Sequence, residues 1–296
     1  MESEAAMENE ALDLIEPLPA GRQALSNGMT ALAFLGTAIA LLPLLAILIK
    51  ILWEGAPHLK WDVLTSLPAP VGLEGVPNGF ANAIQGTVMM VSIATLISIP
   101  IGLLTAIYLS EFGKQSPLAQ GVRFLIMVLS GVPSIVVGVF AYAVIVLNFK
   151  FSALAGSFAL AVIMLPIVVL TSEEALKLVP IQQRLASAAL GASPFQTTRT
   201  VVATALAGIT TGVLLAVARA AGETAPLIFT ALFTQGWSQG LLQPAPSLSV
   251  MIYNYANSAY VQQNQLAWSA SVILVGMVLL TNLLSRLLTR KRLPNR

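Results

Sequence analysis

Long apolar stretches without a single charge dominate this sequence. Only 9% of its 296 residues are charged and 56% are hydrophobic, with a mean hydropathy of +0.83. Soluble domains carry roughly 25% charged residues, so this composition indicates an integral membrane protein. Backbone polar groups in lipid must pair within their own segment, which favours helices. The alternation of apolar and polar residues typical of a β-barrel does not occur, and we therefore predict an all-α membrane protein.

Six stretches are long enough to cross a bilayer as helices. They define a transmembrane region over residues 28–290, with a tight turn predicted at Lys150. Residues 1–27 hold six acidic side chains and one basic one and are predicted to be a cytoplasmic tail, as is the basic segment 291–296. The six predicted spans lie at about 28–52, 83–110, 122–149, 151–172, 203–233 and 264–286.

The lysine and arginine residues predict the orientation of these spans. With the N-terminus inside, eleven of them fall in cytoplasmic segments and three fall outside, namely Lys50, Lys60 and Lys150. Cytoplasmic loops carry an excess of Lys and Arg, so both termini are predicted to be cytoplasmic. The sizeable external segments are then 54–80 and 234–262.

Residues 173–202 form the one long polar connection on the cytoplasmic side. The spacing of Thr171 and Glu174 predicts a helix start where the chain leaves the membrane. Pro180 is predicted to end that helix. The chain has no cysteine and a single histidine, His58, so no metal site is predicted.

A helix, a glycine turn and a second helix are predicted after Pro180. Gly191 is suited to the left-handed conformation that ends a helix. Ser193, Pro194 and Gln196 then supply an N-cap, a first-turn proline and a capping-box partner for the next helix. An ordinary loop between two spans is the alternative, but it does not explain why so small and weakly charged a helix lies in water.

This cytoplasmic segment resembles the EAA loop of ABC-importer membrane subunits. The family pattern is Glu-Ala-Ala, three residues and Gly, and LASAALGASPFQTTRTVV matches it at Ala186 and Gly191. The sequence departs from the pattern at Leu185, Ser187 and Thr204. The resemblance implies that the loop couples to an ATPase, and the candidate coupling residues are Arg184, Leu185, Ala186, Ser187, Ala188, Gly191, Ala192 and Ser193.

Four further segments resemble the PstA-type permease family of phosphate importers. They are IQGTVMMVSIATLISIPIGLLTAIYLSEF (84–112), LSGVPSIVVGVF (129–140), LPIVVLTSEEALKLVP (165–180) and ARAAGETAPLIF (218–229). The most specific pieces are GVPSIVVG and RAAGETAPL. The resemblance covers about residues 80–290 and implies a MetI-like ABC-importer permease fold in a bacterial inner membrane.

The same resemblance implies a set of partners. They are a homologous PstC-type permease, two cytoplasmic ATPase subunits, a periplasmic phosphate-binding protein and phosphate itself, with no nucleic acid. The chain contains no G-x-x-x-x-G-K-[ST] phosphate loop. ATP and Mg²⁺ are therefore expected to be used by the partner ATPase, and this subunit is predicted to be neither an enzyme nor a cofactor-binding protein.

Arg219 and Glu223 are the only charged residues between Arg199 and Arg286. A mid-membrane arginine costs about 2.5–3.5 kcal/mol on insertion scales and is usually functional. At about 100° per residue, Arg219 and Glu223 share a helix face with Gly208 and Gly212, a small-residue packing stripe. We predict that the charge pair lines the translocation path beside the partner permease. A buried pair that only fixes helix packing is the alternative.

Other classes of function are compatible with parts of the sequence. A secondary transporter or channel without an ATPase explains the spans and the charge pair but not the capped cytoplasmic loop. A membrane scaffold has no need of Arg219. ABC permeases for molybdate, sulfate or other solutes share the loop, so phosphate is implied by the family-specific pieces alone.

Overall fold

The computed structural model describes residues 19–73, 75–113 and 116–290, with side chains described as far as Leu283. Every regular element in these residues is helical. The predicted tail 291–296 and most of the predicted tail 1–27 lie outside the described residues. The helices are α1 (Ala20–Gly55), α2 (Trp61–Thr65), α3 (Ala81–Phe112), α4 (Pro117–Gly131), α5 (Ser134–Phe149), α6 (Ala153–Lys177), α7 (Ile181–Ala189), α8 (Pro194–Gly222), α9 (Ala225–Thr230), α10 (Leu248–Ala256) and α11 (Val261–Arg290).

The number of potential membrane crossings agrees with the predicted all-α, six-span protein. Among the described residues, α1, α3, α6, α8 and α11 are each long and apolar enough to span a bilayer. The consecutive helices α4 and α5 make a sixth crossing if the bent pair is counted as one span. The cytoplasmic location of both termini stays a prediction.

The chain divides into two compact units at Leu52. The described part of the first unit is α1 as far as Leu52, a single apolar helix that contains Pro43. This helix begins at Ala20, inside the segment predicted to be an acidic tail. The second unit starts at Trp53 and contains all the other helices.

Helix α6 lies at the centre of the second unit. It packs against α3, α4, α5, α8 and α9, and its Leu160, Met164 and Val168 side chains are fully buried. Small residues allow the close approach: a Cβ on Gly102 of α3 would lie 2.7 Å from Val168 Cγ1. Tight contacts through small residues are typical of helices associating in a membrane.

The predicted third span, 122–149, is two helices rather than one. Helices α4 and α5 meet at an angle of 105°. Val132 between them is extended, with φ −72° and ψ 128°, because the ring of Pro133 disfavours the helical conformation in the residue before it. The predicted tight turn at Lys150 is confirmed, with a positive φ of 67° between α5 and α6.

The helix start predicted at Thr171 is wrong, because α6 continues through that position to Lys177. The Thr171 hydroxyl donates to the Ile167 carbonyl within the helix, at 2.7 Å. Leu176, five residues further along the helix, is fully buried, so tertiary packing extends the helix past the capping signal. The predicted fifth span, 203–233, is also interrupted, since α8 ends at Gly222 and α9 starts at Ala225.

Candidate functional site

The two helix breaks of the second unit lie next to each other. One separates α4 from α5 at Val132–Pro133, and the other separates α8 from α9 at Glu223–Thr224. Helix α5 packs on α9, and a Cβ on Gly138 would lie 2.7 Å from the Cα of Pro226. The two most specific sequence pieces, GVPSIVVG and RAAGETAPL, are therefore neighbours in space.

Arg219 lies between these two breaks, in the last turn of α8. Its side chain lines a small cleft of about 40 Å³ formed by α4, the α4–α5 bend, α5 and α6. The polar side chains beside it in this cleft are Ser130 and Ser134, on either side of the bend. The other lining residues are Leu129, Val132, Val137, Ile163, Pro166 and Ile167.

The predicted pair of Arg219 and Glu223 forms, but it is loose. Arg219 Nε lies 3.4 Å from Glu223 Oε1, whereas charge-assisted hydrogen bonds are usually about 2.7–2.9 Å long. The arginine side chain is 55% exposed and the glutamate side chain 14% exposed. The guanidinium thus keeps an open side on which an anion can approach.

Glu223 is not on a helix face, which corrects the geometry expected from a continuous helix. It is the residue after Gly222, with an extended backbone at φ −69° and ψ 129°. Its carbonyl oxygen accepts a hydrogen bond of 2.8 Å from the Ser249 hydroxyl of α10. Helix α10 therefore holds the chain at the point where α8 ends.

Gly208 and Gly212 pack helices, as the small-residue stripe predicts, and they pack against α6 of the same chain. A Cβ on Gly208 would lie 2.8 Å from the Cβ of Ala175, and one on Gly212 would overlap the Thr171 side chain. The face that carries these glycines is thus covered within the subunit. A partner permease could meet Arg219 only beyond this stripe, on the open side of the cleft.

The turn between α7 and α8 has the predicted local structure. Gly191 has φ +78°, and the amides of Gly191 and Ala192 donate to the carbonyls of Ala188 and Ser187. This is the Schellman arrangement for ending a helix. Ser193 and Gln196 form the predicted capping box at the start of α8, with contacts of 2.8 and 3.4 Å.

No residue of helix α7 is buried, and all of them except Arg184 and Ser187 are exposed. Large apolar side chains in and around it point outward, the most extreme being Leu190 at 90% exposure. Contiguous exposed apolar surface usually marks a site of protein or membrane interaction. We call these residues the coupling patch: Leu178, Ile181, Leu185, Leu190 and Phe195.

Two departures from the EAA pattern have a structural role between α7 and α8. The hydroxyls of Ser187 and Thr197 lie 3.0 Å apart, and the Thr204 hydroxyl donates to Gln183 Oε1 at 3.1 Å. The remaining departure, Leu185, belongs to the coupling patch. Helix α7 is therefore fixed to α8 by side-chain hydrogen bonds.

Two ion pairs beside α7 were not predicted from the sequence. Glu111, in the π-helical turn Tyr108–Phe112 that ends α3, binds Arg184 of α7 at 2.9 Å. Glu173 of α6 binds Arg123 of α4, also at 2.9 Å. The sequence signal for both pairs was a glutamate near the end of a long apolar span, Glu111 in α3 and Glu173 in α6. The partners are 73 and 50 residues away, a pairing that no local pattern predicts.

Broken apolar helices, an arginine–glutamate pair at one of the breaks and the exposed helix α7 are features expected of the membrane subunit of a transporter. The chain belongs to the family of binding-protein-dependent transport system inner membrane components, whose profile matches residues 98–293. It is similar to the phosphate transport system permease protein PstA of Haemophilus influenzae, with 43% identity over 262 residues, covering 88% of this chain and 92% of that protein.

Two less similar relatives also match over most of the chain. PstA 1 of Mycobacterium tuberculosis is 32% identical and covers 98% of this chain and 99% of its own. A probable PstA of Methanocaldococcus jannaschii is 35% identical over 81% of this chain and 84% of its own. Among solved structures, a chain of the inward-facing MetNI methionine ABC transporter superposes with a TM-score of 0.60 at 19% identity, covering 72% of this chain and 96% of that one. The MetI-like fold is therefore shown.

Proposed function

We propose that this chain is the permease subunit of an ATP-driven phosphate importer and forms half of its translocation pathway. The supporting observation is that relatives from widely separated organisms, 32–43% identical over most of their length, are named phosphate transport permeases. The exposed arginine at a break in two membrane helices gives that name a physical basis in this chain. The positive charge of this arginine attracts an anion, whereas it would repel a cationic solute and give a neutral one little stabilisation.

Arg219 is the residue that we assign to phosphate. Its long contact with Glu223 leaves donors for an incoming anion, while the carboxylate offsets part of the positive charge. An uncompensated cation in a low-dielectric site would hold phosphate too tightly for release. Discontinuous helices commonly form the substrate sites of membrane transporters, which favours this cleft over the apolar surfaces elsewhere in the subunit.

The coupling patch is assigned to the ATPase. One of the two ATPase subunits would receive α7 in a surface cleft, and ATP and Mg²⁺ would be bound by the ATPase subunits. A homologous PstC-type permease would complete the pathway. The external segments 54–80 and 234–262 would contact a phosphate-binding protein, with both termini on the cytoplasmic side of a bacterial inner membrane.

The function is tested by reconstituting the chain in liposomes with a PstC-type permease, ATPase subunits and a phosphate-binding protein from the same organism and measuring uptake of radiolabelled phosphate. We expect uptake that requires ATP and the binding protein and that resists competition by sulfate or molybdate. Competition by either oxyanion would support a permease for another solute. Uptake driven by an ion gradient without ATP would support a secondary transporter.

Docking of α7 is tested by Ala188→Trp, which places a bulky ring on the exposed helix. We expect ATPase activity that no longer responds to the binding protein, in a complex that still inserts. Gly121→Trp on α4 is the matched control, because nothing lies within 4 Å of a Cβ at that position. The docking assignment would be contradicted if the binding protein stimulated ATPase activity as strongly in the Ala188→Trp complex as in the Gly121→Trp complex.

A further inference from the structure

The ion pair between Arg184 and Glu111 is bidentate and largely buried. Arg184 Nη2 lies 2.9 Å from Glu111 Oε1 and Nε lies 3.2 Å from Oε2. The two side chains are only 13% and 8% exposed. Bidentate contacts between arginine and carboxylate fix orientation as well as distance, so the first turn of α7 is held in one position relative to the end of α3.

The same guanidinium also binds the end of α6. Arg184 Nη2 donates to the Leu176 carbonyl at 2.9 Å, and Nη1 donates to the Val179 carbonyl. Leu176 lies in the last turn of α6, and the residue four positions on is Pro180, which has no N–H to donate to its carbonyl. The Leu176 carbonyl also accepts from the Val179 amide at 3.3 Å, and Val179 itself follows the helix. Arg184 thus connects α7, α3 and α6 through one planar group.

A second ion pair strengthens the same junction. Arg123 Nε donates to Glu173, and Arg123 Nη2 donates to the Leu109 carbonyl at 2.8 Å. Lys177 lies 3.1 Å from the same Glu173 carboxylate. Leu109 and Glu111 both belong to the π-helical turn Tyr108–Phe112, and such turns are frequent at functional sites.

Helix α7 has no apolar anchor of its own, because none of its residues is buried. Its position depends on the Arg184 contacts on one side and on the two side-chain hydrogen bonds to α8 on the other. The chain between α6 and α7 is only Leu178–Pro180. Without the ion pair, a push on α7 would be absorbed by rotation at this short connection.

We propose that Glu111 is a positioning residue that transmits movement of α7 to α3 through Arg184. This inference rests on the proposed docking of α7 to an ATPase and adds the route by which that docking reaches the membrane helices. Helix α3 and α6 share an extensive interface, and α6 lines the cleft of Arg219. The ion pair is therefore the first link between the coupling patch and the transport site.

The test compares Glu111→Gln with Glu174→Gln in the reconstituted complete importer. Glu174 forms an exposed ion pair with Lys177 within the same helix, at 2.9 Å, and joins no two elements. We expect Glu111→Gln to lower the phosphate moved per ATP hydrolysed by about three- to tenfold and Glu174→Gln to leave the ratio unchanged. A ratio within about twofold of the wild type for Glu111→Gln would overturn the proposal.

A reversible chemical cross-link distinguishes a positioning role of Glu111 from a role in folding. The chain has no cysteine, so Glu111→Cys with Arg184→Cys can be joined after purification by a bifunctional methanethiosulfonate reagent that spans the lost ion pair. We expect the joined importer to recover its coupling ratio and to lose it again when the link is reduced. Equal ratios in the joined and reduced forms would overturn the proposal even if Glu111→Gln fails to assemble.

A distance measurement tests the role of Glu111 independently of which solute the importer carries. Spin labels at Leu96 of α3 and Gln182 of α7, both exposed, report the separation of the two helices in the assembled importer. We expect one narrow distance distribution with Glu111 and a broad one with Glu111→Gln. A wild-type importer that moves no phosphate would contradict the proposed function, whereas unchanged distributions would contradict the role of Glu111.

Discussion

Gly138 of α5 lies against Pro226 of α9, so close that a Cβ on the glycine would be 2.7 Å from the proline Cα. The atom in the way belongs to the backbone, which cannot turn aside as a side chain can. This contact joins the helix that follows the α4–α5 bend to the helix that follows the end of α8. It therefore fixes the geometry of the cleft that contains Arg219.

Gly138→Val is expected to separate α5 from α9. Overpacking of a tight contact costs about 1–3 kcal/mol, and the displaced α9 would move Glu223 away from Arg219. We expect a lower melting temperature of the purified subunit and loss of phosphate uptake. Gly131→Ala, where nothing lies within 4 Å of the new Cβ, is the matched control and should retain both.

Gly191 tests whether the end of α7 needs a left-handed residue. Its φ is +78° but the space around it is open, so a substitution acts through the backbone alone. A β-branched residue in this conformation costs at least about 1–2 kcal/mol, whereas asparagine adopts it readily. We expect Gly191→Val to reduce the ATPase stimulation by the binding protein and Gly191→Asn to preserve most of it. Equal effects of Val and Asn would mean that the turn does not control coupling.

Asn82 is predicted to stabilise the end of the subunit at which α3 begins. Its buried amide nitrogen lies 3.3, 3.0 and 3.1 Å from the carbonyl oxygens of Thr234, Gln235 and Gly236. Removing a buried partner leaves such groups unsatisfied at a cost of about 1–3 kcal/mol. We expect Asn82→Leu to lower the melting temperature by several degrees, measured by thermal unfolding in detergent. Asn148→Leu, an exposed site with one local hydrogen bond, should change it little.

The sequence carried enough information to predict local structure where one or two residues decide it. The glycine turn at Gly191 and the capping box at Ser193 follow from backbone and side-chain preferences that do not depend on the rest of the chain. The capping signal at Thr171 failed because buried residues on both sides of it keep α6 helical. Packing overrode a preference worth about 1 kcal/mol.

The candidate site could be predicted in its residues but not in its shape. Arg219 was identified because a charge inside an apolar stretch is costly. The bend at Val132–Pro133 interrupts a stretch that was predicted to be one span, and its position beside Arg219 depends on how α4, α5 and α8 pack. The same holds for Glu111 and Arg184, which meet only because α7 begins beside the end of α3.

The double variant Arg219→Gln with Glu223→Gln distinguishes a transport role of the charge pair from a packing role. If Arg219 binds the anion, Arg219→Gln alone abolishes phosphate uptake in a complex that still assembles and hydrolyses ATP. Glu223→Gln alone slows release, because the guanidinium then lacks its counter-charge.

Removing both charges leaves no unpaired charged group. If the pair served only packing, the double variant would therefore regain both assembly and transport. The 3.4 Å separation and the 55% exposure of the arginine favour the transport role, since a weak and open ion pair contributes little to packing. We therefore expect the double variant to assemble normally and to move no phosphate, measured as ATP-dependent uptake in proteoliposomes. Robust uptake by the double variant would leave only the packing role.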